Sequence, residues 1–243
     1  MKLSKTVAIL LMGLLIADGM AAPDFGTVHG NGIIEVKTGS YELSFFPGCM
    51  FPFRLKTGGK TLPEPVWLDR IVGMDGKQYF LNVDRFAERR IVTGTDREFC
   101  VEMSGTYCLN DDVSCPGKVS AIYRYKCRPD GVEVDVRISN PEGIRWKEVH
   151  VLSPGWKTAF PASSCTVDGR TAVPNAAGHF GGSASAGFLF PGGEWRMSGE
   201  AVRGYDNRNR KFYGYLSCFR QRDWDGSELK IPAIRMTFFR TQE

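Results

Sequence analysis

Lys118-Val-Ser-Ala-Ile-Tyr-Arg-Tyr-Lys-Cys127, then Arg128-Pro-Asp-Gly131, then Val132-Glu-Val-Asp-Val-Arg-Ile-Ser139 is the stretch that decides the fold. Val119, Ala121, Tyr123, Tyr125 and Cys127 share one parity in the first run. Val132, Val134, Val136 and Ile138 share one in the second, with Glu133, Asp135 and Arg137 between them. Successive side chains of a strand leave opposite faces. Period two in β-branched and aromatic residues therefore gives strands with one buried and one wet face. In Arg128 to Gly131, proline presets a negative φ and glycine supplies a positive one, which closes an antiparallel hairpin. A second turn, Asn140-Pro-Glu-Gly143, leads into Ile144-Arg-Trp-Lys-Glu-Val-His-Val-Leu152. Its even face carries Ile144, Trp146, Glu148, His150 and Leu152, and its odd face Arg145, Lys147, Val149 and Val151. An aromatic, a carboxylate and an imidazole on one side of a strand make this run the first site candidate.

Working outward, Ile33 to Lys37 and Tyr41 to Phe46 read as two short strands around a Gly-Ser break, and residues 57–65 as a loop. Met74-Asp-Gly-Lys77 marks another hairpin. Asn82 to Arg90 reads as a helical turn or an edge strand, and Ile91 to Cys108 as one strand. Residues 162–193 are low in charge and rich in Gly, Ala and Ser, and read as a long loop system. Val202 to Arg222 and Ile231 to Arg240 close the chain as strands. Many short strands with regular turn signals and no long amphipathic helix give an all-β fold, an antiparallel β-sandwich. Its 243 residues suit one such domain, expected over 22–243.

The first residues read differently. Lys2 and Lys5 precede an apolar run from Thr6 to Ile16, followed by the small residues Gly19, Ala21 and Ala22. This is the pattern of a secretory signal peptide, expected over 1–21 with cleavage after Ala21. A secreted or periplasmic protein follows, with no membrane association after cleavage; an uncleaved N-terminal anchor is the alternative. Net charge is +4, too slight and too dispersed for nucleic acid.

Export permits disulfides among the seven cysteines. Cys108 and Cys115 flank a short loop, and Cys100 and Cys127 sit near register on the strands around it, so both pairs are candidates. An odd count leaves at least one thiol over. Buried, reduced cysteines packing as small hydrophobes are the alternative. There is no Cys-x-x-Cys and the three histidines are far apart, so no metal site is expected. Asp223-Trp-Asp-Gly226 lacks the further ligands of a calcium loop and reads as a turn. No phosphate-binding loop, dinucleotide fingerprint or Gly-x-Ser-x-Gly elbow is present. No cofactor is expected.

Glu148 and His150 lie two positions apart and point the same way. Such a pair can act as general base and acid around a sugar hydroxyl or ring oxygen, with Trp146 stacking on a pyranose. The rival reading is a solvated ion pair beside a core tryptophan. His179, set among glycines, is a further ligand candidate or an idle loop histidine. Arg203, Tyr205 and Asn207 open a run of cations, amides and aromatics that suits an acidic glycan; equally, it is a polar turn.

Gly32-Ile-Ile-Glu-Val-Lys-Thr-Gly-Ser-Tyr-Glu-Leu-Ser-Phe45 and the span Ser120 to Pro154 together resemble the galactose mutarotase-like supersandwich. That group includes aldose epimerases and the β domains of several polysaccharide lyases and glycoside hydrolases. The resemblance implies a sandwich with a concave sheet face and a carbohydrate ligand. Epimerases of the group use a His acid and a Glu base there. Their Asn-His-x-Tyr-Phe-Asn-Leu type of motif is absent here, so His150 corresponds only in lying on a strand. The expectation is a secreted protein that binds or processes a sugar or polysaccharide, acidic polymers included. Its rivals are a non-catalytic cell-surface interaction module and a polysaccharide lyase.

Overall fold

The structure, a computed structural model, describes residues 26–240 apart from 53, 82–86, 96, 111, 156–163, 168–169, 173–184, 200–202 and 206–215. The proposed signal segment, His179 and Asn207 lie outside the described residues, and for Arg203 and Tyr205 the backbone alone is described.

A first sheet is built in chain order from β1 (Gly26–Val28), β2 (Ile34–Lys37), β3 (Glu42–Phe45), β4 (Arg54–Thr57) and β5 (Lys60–Thr61). In β2, Ile34 and Val36 go inward and Glu35 and Lys37 outward, as period two requires. The 57–65 segment expected as loop thus contains a short strand, β5, paired with β4.

The remaining chain supplies β6 (Val66–Trp67), β7 (Arg70–Gly73), β8 (Gln78–Phe80), β9 (Glu88–Gly94), β10 (Phe99–Leu109), β11 (Pro116–Arg128) and β12 (Gly131–Ser139). Then come β13 (Trp146–Val151), β14 (Pro154–Gly155), β15 (Ser164–Val167), β16 (Arg170–Ala172), β17 (Ser185–Phe190) and β18 (Gly193–Ser198). Last are β19 (Arg203–Tyr205), β20 (Leu216–Ser217), β21 (Phe219–Trp224) and β22 (Glu228–Arg240). Most join one large antiparallel sheet in the order β16-β15-β17-β18-β22-β12-β11-β10-β8-β7-β13-β21, with β9 also on β10.

The central hairpin forms as the sequence predicts, with Arg128 opposite Gly131 and Ser120 opposite Ser139. Two expectations give way. Residues 91–108 are not one strand, because Thr95 caps a turn by accepting from Glu98 N at 3.0 Å and so separates β9 from β10. Residues 162–193 hold strands as well as loop, since β15, β16 and β17 lie within them. Small residues lower the hydrophobic contrast on which period two depends, and a Cβ added at Gly187 would come within 2.7 Å of Thr166 Oγ1 and 2.9 Å of Glu194 Oε1, so those side chains would have to shift.

The core lies between the two sheets. Phe45 meets Tyr125 with ring centroids 5.2 Å apart, Tyr41 meets Phe238 at 4.9 Å, and Phe51 stacks on Trp67 at 5.0 Å. Tyr41 also donates to Arg128 O at 2.7 Å, and Tyr125 to Met50 O at 2.9 Å. A buried phenol needs such an acceptor. These two bonds sew the first sheet to the central hairpin.

Candidate functional site

The site grows from the far edge of the large sheet, where β13 lies between β7 and β21. Register sets Arg70, His150 and Arg220 in one row across the three strands, and Val72, Glu148 and Arg222 in the next. Directly opposed residues share a face, so these six side chains emerge together. Val149 and Val151 take the other face, into the core. Phe80, opposite Arg70 on β8, extends the first row with a half-buried ring.

Trp146 does not join them. Trp146 and Glu148 oppose the adjacent residues Gly73 and Val72, so Lys147 is an extra residue and a bulge interrupts the alternation. Trp146 is only 4% exposed, belongs to the core and meets Tyr79 edge-on at 5.4 Å. It is a packing residue and not a stacking platform. Strict alternation cannot foresee a one-residue bulge.

Glu148 and His150 do converge. His150 Nε2 lies 2.8 Å from Glu148 Oε2, and Nδ1 lies 2.8 Å from Ser217 Oγ. Glu148 Oε1 accepts from Arg220 at 2.6 Å. His150 is 4% exposed, and burial pushes its pKa down to about 4, aided by the guanidinium groups of Arg70 and Arg220 and against the pull of Glu148. Glu148 is brought down to about 2, first by the His150 hydrogen bond and then by Arg220. At neutral pH the imidazole is therefore neutral. Its Nε2–H donates to the carboxylate, and Nδ1 accepts from the Ser217 hydroxyl. With both ring nitrogens engaged, His150 holds Glu148, and Glu148 is the member that reaches the surface.

A buried support lies behind this row. Asp69, fully buried, accepts from Tyr123 OH at 2.5 Å, Leu152 N at 2.6 Å and Ser153 N at 2.8 Å. Burial raises its pKa to about 6 despite these donors. Leu152 has φ of 47° and Asp223 has φ of 48°, left-handed values that cost non-glycine residues energy. They end β13 and lie near the end of β21, so backbone strain is held at both site strands. Asp69 sat unnoticed in the sequence because a lone aspartate between Leu68 and Arg70 carries no periodic signal. Arg220 and Arg222 were legible as cations, but their partner strand was not.

The other candidates divide. Arg203 is opposite Ser217 in the small β19–β20 sheet, so its backbone lies beside the residue that holds His150. Tyr205 pairs with Leu216. Neither cysteine pair is bridged. Cys100 stands opposite Lys126 and Cys127 opposite Phe99, so their side chains leave opposite faces of the sheet, and both are free thiols. Cys108 is opposite Pro116 and donates to Thr106 O at 3.5 Å, whereas Cys115 is an exposed free thiol beside Asp112. Each pair misses register by one residue. Among the described residues, no three His, Cys, Asp or Glu side chains are grouped to hold a metal, and no helix is long and apolar enough to cross a membrane.

No known family description and no curated protein matches the sequence. Solved structures do match. The chain is similar to a galactose mutarotase-like protein from Lactobacillus casei over 85% of its own length and 100% of that chain, with TM-score 0.52 and 9% identity. It is also similar to the α-galactosidase from Lactobacillus brevis, with TM-score 0.53 and 9% identity, over 88% of its own length but only 40% of that enzyme's. At such low identity the likeness defines the fold alone. The fold is the galactose mutarotase-like sandwich, as the sequence resemblance implies.

Proposed function

We propose that this protein binds or processes carbohydrate, as a secreted or periplasmic domain, on a concave sheet face carrying Glu148 and its flanking arginines. One observation carries the reading: on a sandwich of this fold, an ionised carboxylate is held between a buried imidazole and a guanidinium at the surface. Fixed acceptors and donors of this kind match the alternating hydroxyls of a sugar. Phe80 on the same face offers an apolar surface for a pyranose. The chemistry favours binding over turnover. A carboxylate with a pKa near 2 is a weak base and cannot be a general acid at neutral pH, and its His150 partner is fully occupied.

A second reading, a polysaccharide lyase, draws on the pairing of Arg203 with Ser217. It requires the Arg203 and Tyr205 side chains to reach the Glu148 face.

The test is a glycan and polysaccharide binding screen on protein beginning at Ala22, run beside folded Glu148→Gln. Binding that is lost in the variant supports the reading. Binding that survives moves the site elsewhere, and no binding across the panel favours a protein-interaction module.

A further inference from the structure

A continuous line of contacts joins the buried Asp69 to the surface carboxylate of Glu148 through the ends of β13 and β20. At its inner end Leu152 N donates to Asp69 Oδ2 at 2.6 Å and Ser153 N to Oδ1 at 2.8 Å. Successive N–H groups of such a bend form a concavity that suits an anion. Leu152 pays for the bend with its φ of 47°, and strain of this kind persists only where the surroundings impose it. Two routes lead outward. Leu152 O accepts from Cys218 N at 3.3 Å, which fixes the residue next to Ser217. Ser153 Oγ donates to Ser217 Oγ at 3.5 Å, a long contact between two buried hydroxyls. Ser217 Oγ lies 2.8 Å from His150 Nδ1, and His150 Nε2 lies 2.8 Å from Glu148 Oε2.

We propose that Asp69 is a positioning residue for Glu148. It holds the Leu152–Ser153 bend, the bend seats the Ser217 hydroxyl on His150, and His150 holds the carboxylate that meets the ligand. For that ligand the inference rests on the carbohydrate reading; the line of contacts does not depend on it. Tyr123 of β11 and Tyr107 of β10 face Asp69 from the core, with Cys218 and Arg70 also near it. His150 faces Glu148 on its own strand, Arg70 on β7 and Arg220 on β21.

The test is NMR titration of the His150 ring nitrogens in the ligand-free chain from Ala22, for the parent, Asp69→Asn and Ser217→Ala. In the parent the ring should titrate near pH 4. The Ser217 hydroxyl donates to Nδ1 and so favours the neutral ring. Its loss should raise the midpoint by at least about one pH unit, directly in Ser217→Ala and through the bend in Asp69→Asn. The sign is diagnostic. Removing the Asp69 charge alone would lower the midpoint, and a loss of stability alone would lower the melting temperature and leave the midpoint in place. An unchanged or lowered midpoint in folded Asp69→Asn would overturn the proposal. Should that variant not fold, the parent decides. The step near pH 6 at the Leu152 and Ser153 amides, as Asp69 ionises, should appear at the His150 ring as well; confinement to those two amides would overturn the proposal. In a second arm, the saccharide chosen by the screen should bind folded Asp69→Asn at least about tenfold more weakly. A shifted ring with unchanged saccharide affinity would support the positioning of Glu148 and overturn the carbohydrate reading of this face.

Discussion

The central hairpin and the β7–β13–β21 edge are made of the same material and arranged differently. On β11 and β12 the alternation is unbroken, and every cation finds an acid on a neighbouring strand or turn: Lys126 meets Glu133 at 2.8 Å and Asp135 at 2.5 Å, and Arg128 meets Glu98 at 2.7 Å. On the edge, a bulge at Lys147 breaks the period, and an imidazole is buried on the face opposite the core. Two non-glycine residues take positive φ, and cations outnumber acids. Regularity marks the part of the sheet that serves the fold. Departures that cost energy mark the part with another task.

The largest effect should come from behind the edge. Asp69→Ala strands two backbone donors and a phenol in the interior, and should cost about 3–5 kcal/mol in chemical denaturation. A loss under about 1 kcal/mol would show that the edge is not anchored there. Trp146→Ala should come next, at about 3–5 kcal/mol for a buried indole, with no selective loss of glycan binding in whatever folded protein remains. Selective loss of binding with stability intact would return Trp146 to the site.

The pH dependence separates the regions further. His150 has a folded pKa near 4, below its ordinary 6.5, so the unfolded chain binds the extra proton first. Its contribution to stability is present above about pH 6.5 and is lost as pH falls toward 4. Asp69 acts in the opposite sense, because its raised pKa makes stability fall as pH rises from 3.8 to about 6. Denaturation midpoints of His150→Gln should therefore lose the acid-side decline, and those of Asp69→Asn should show it more steeply. Parallel profiles in both variants and the parent would remove the two groups from the pH response.

The smallest effect belongs to the hairpin ladder. Lys126→Ala removes two partly exposed ion pairs, with Glu133 and Asp135, and should cost under about 1 kcal/mol, read by the same melts. A larger loss would mean that the ladder is more than a solvated surface.

How much was legible follows the same division. Val119 to Cys127 and Val132 to Ile138 announced their pairing because alternation is local and Pro129 to Gly131 names the turn. Glu148 and His150 were legible as a pair for the same reason. Trp146 was misplaced because a bulge is set by what the neighbouring strand demands. Arg70, Arg220 and Ser217 were missed because they approach from strands distant in sequence, whose order comes from the tertiary fold. The disulfide candidates failed on a one-residue offset between β10 and β11, which sequence spacing cannot resolve.

The most direct measurement is a two-dimensional amide NMR titration of the protein with the tightest saccharide from the binding screen. The account predicts that shifts concentrate at residues 70–72, 148–150 and 220–222, with the hairpin amides of 120–138 unmoved. Shifts centred on the hairpin face, or spread without a focus on β13, would contradict it.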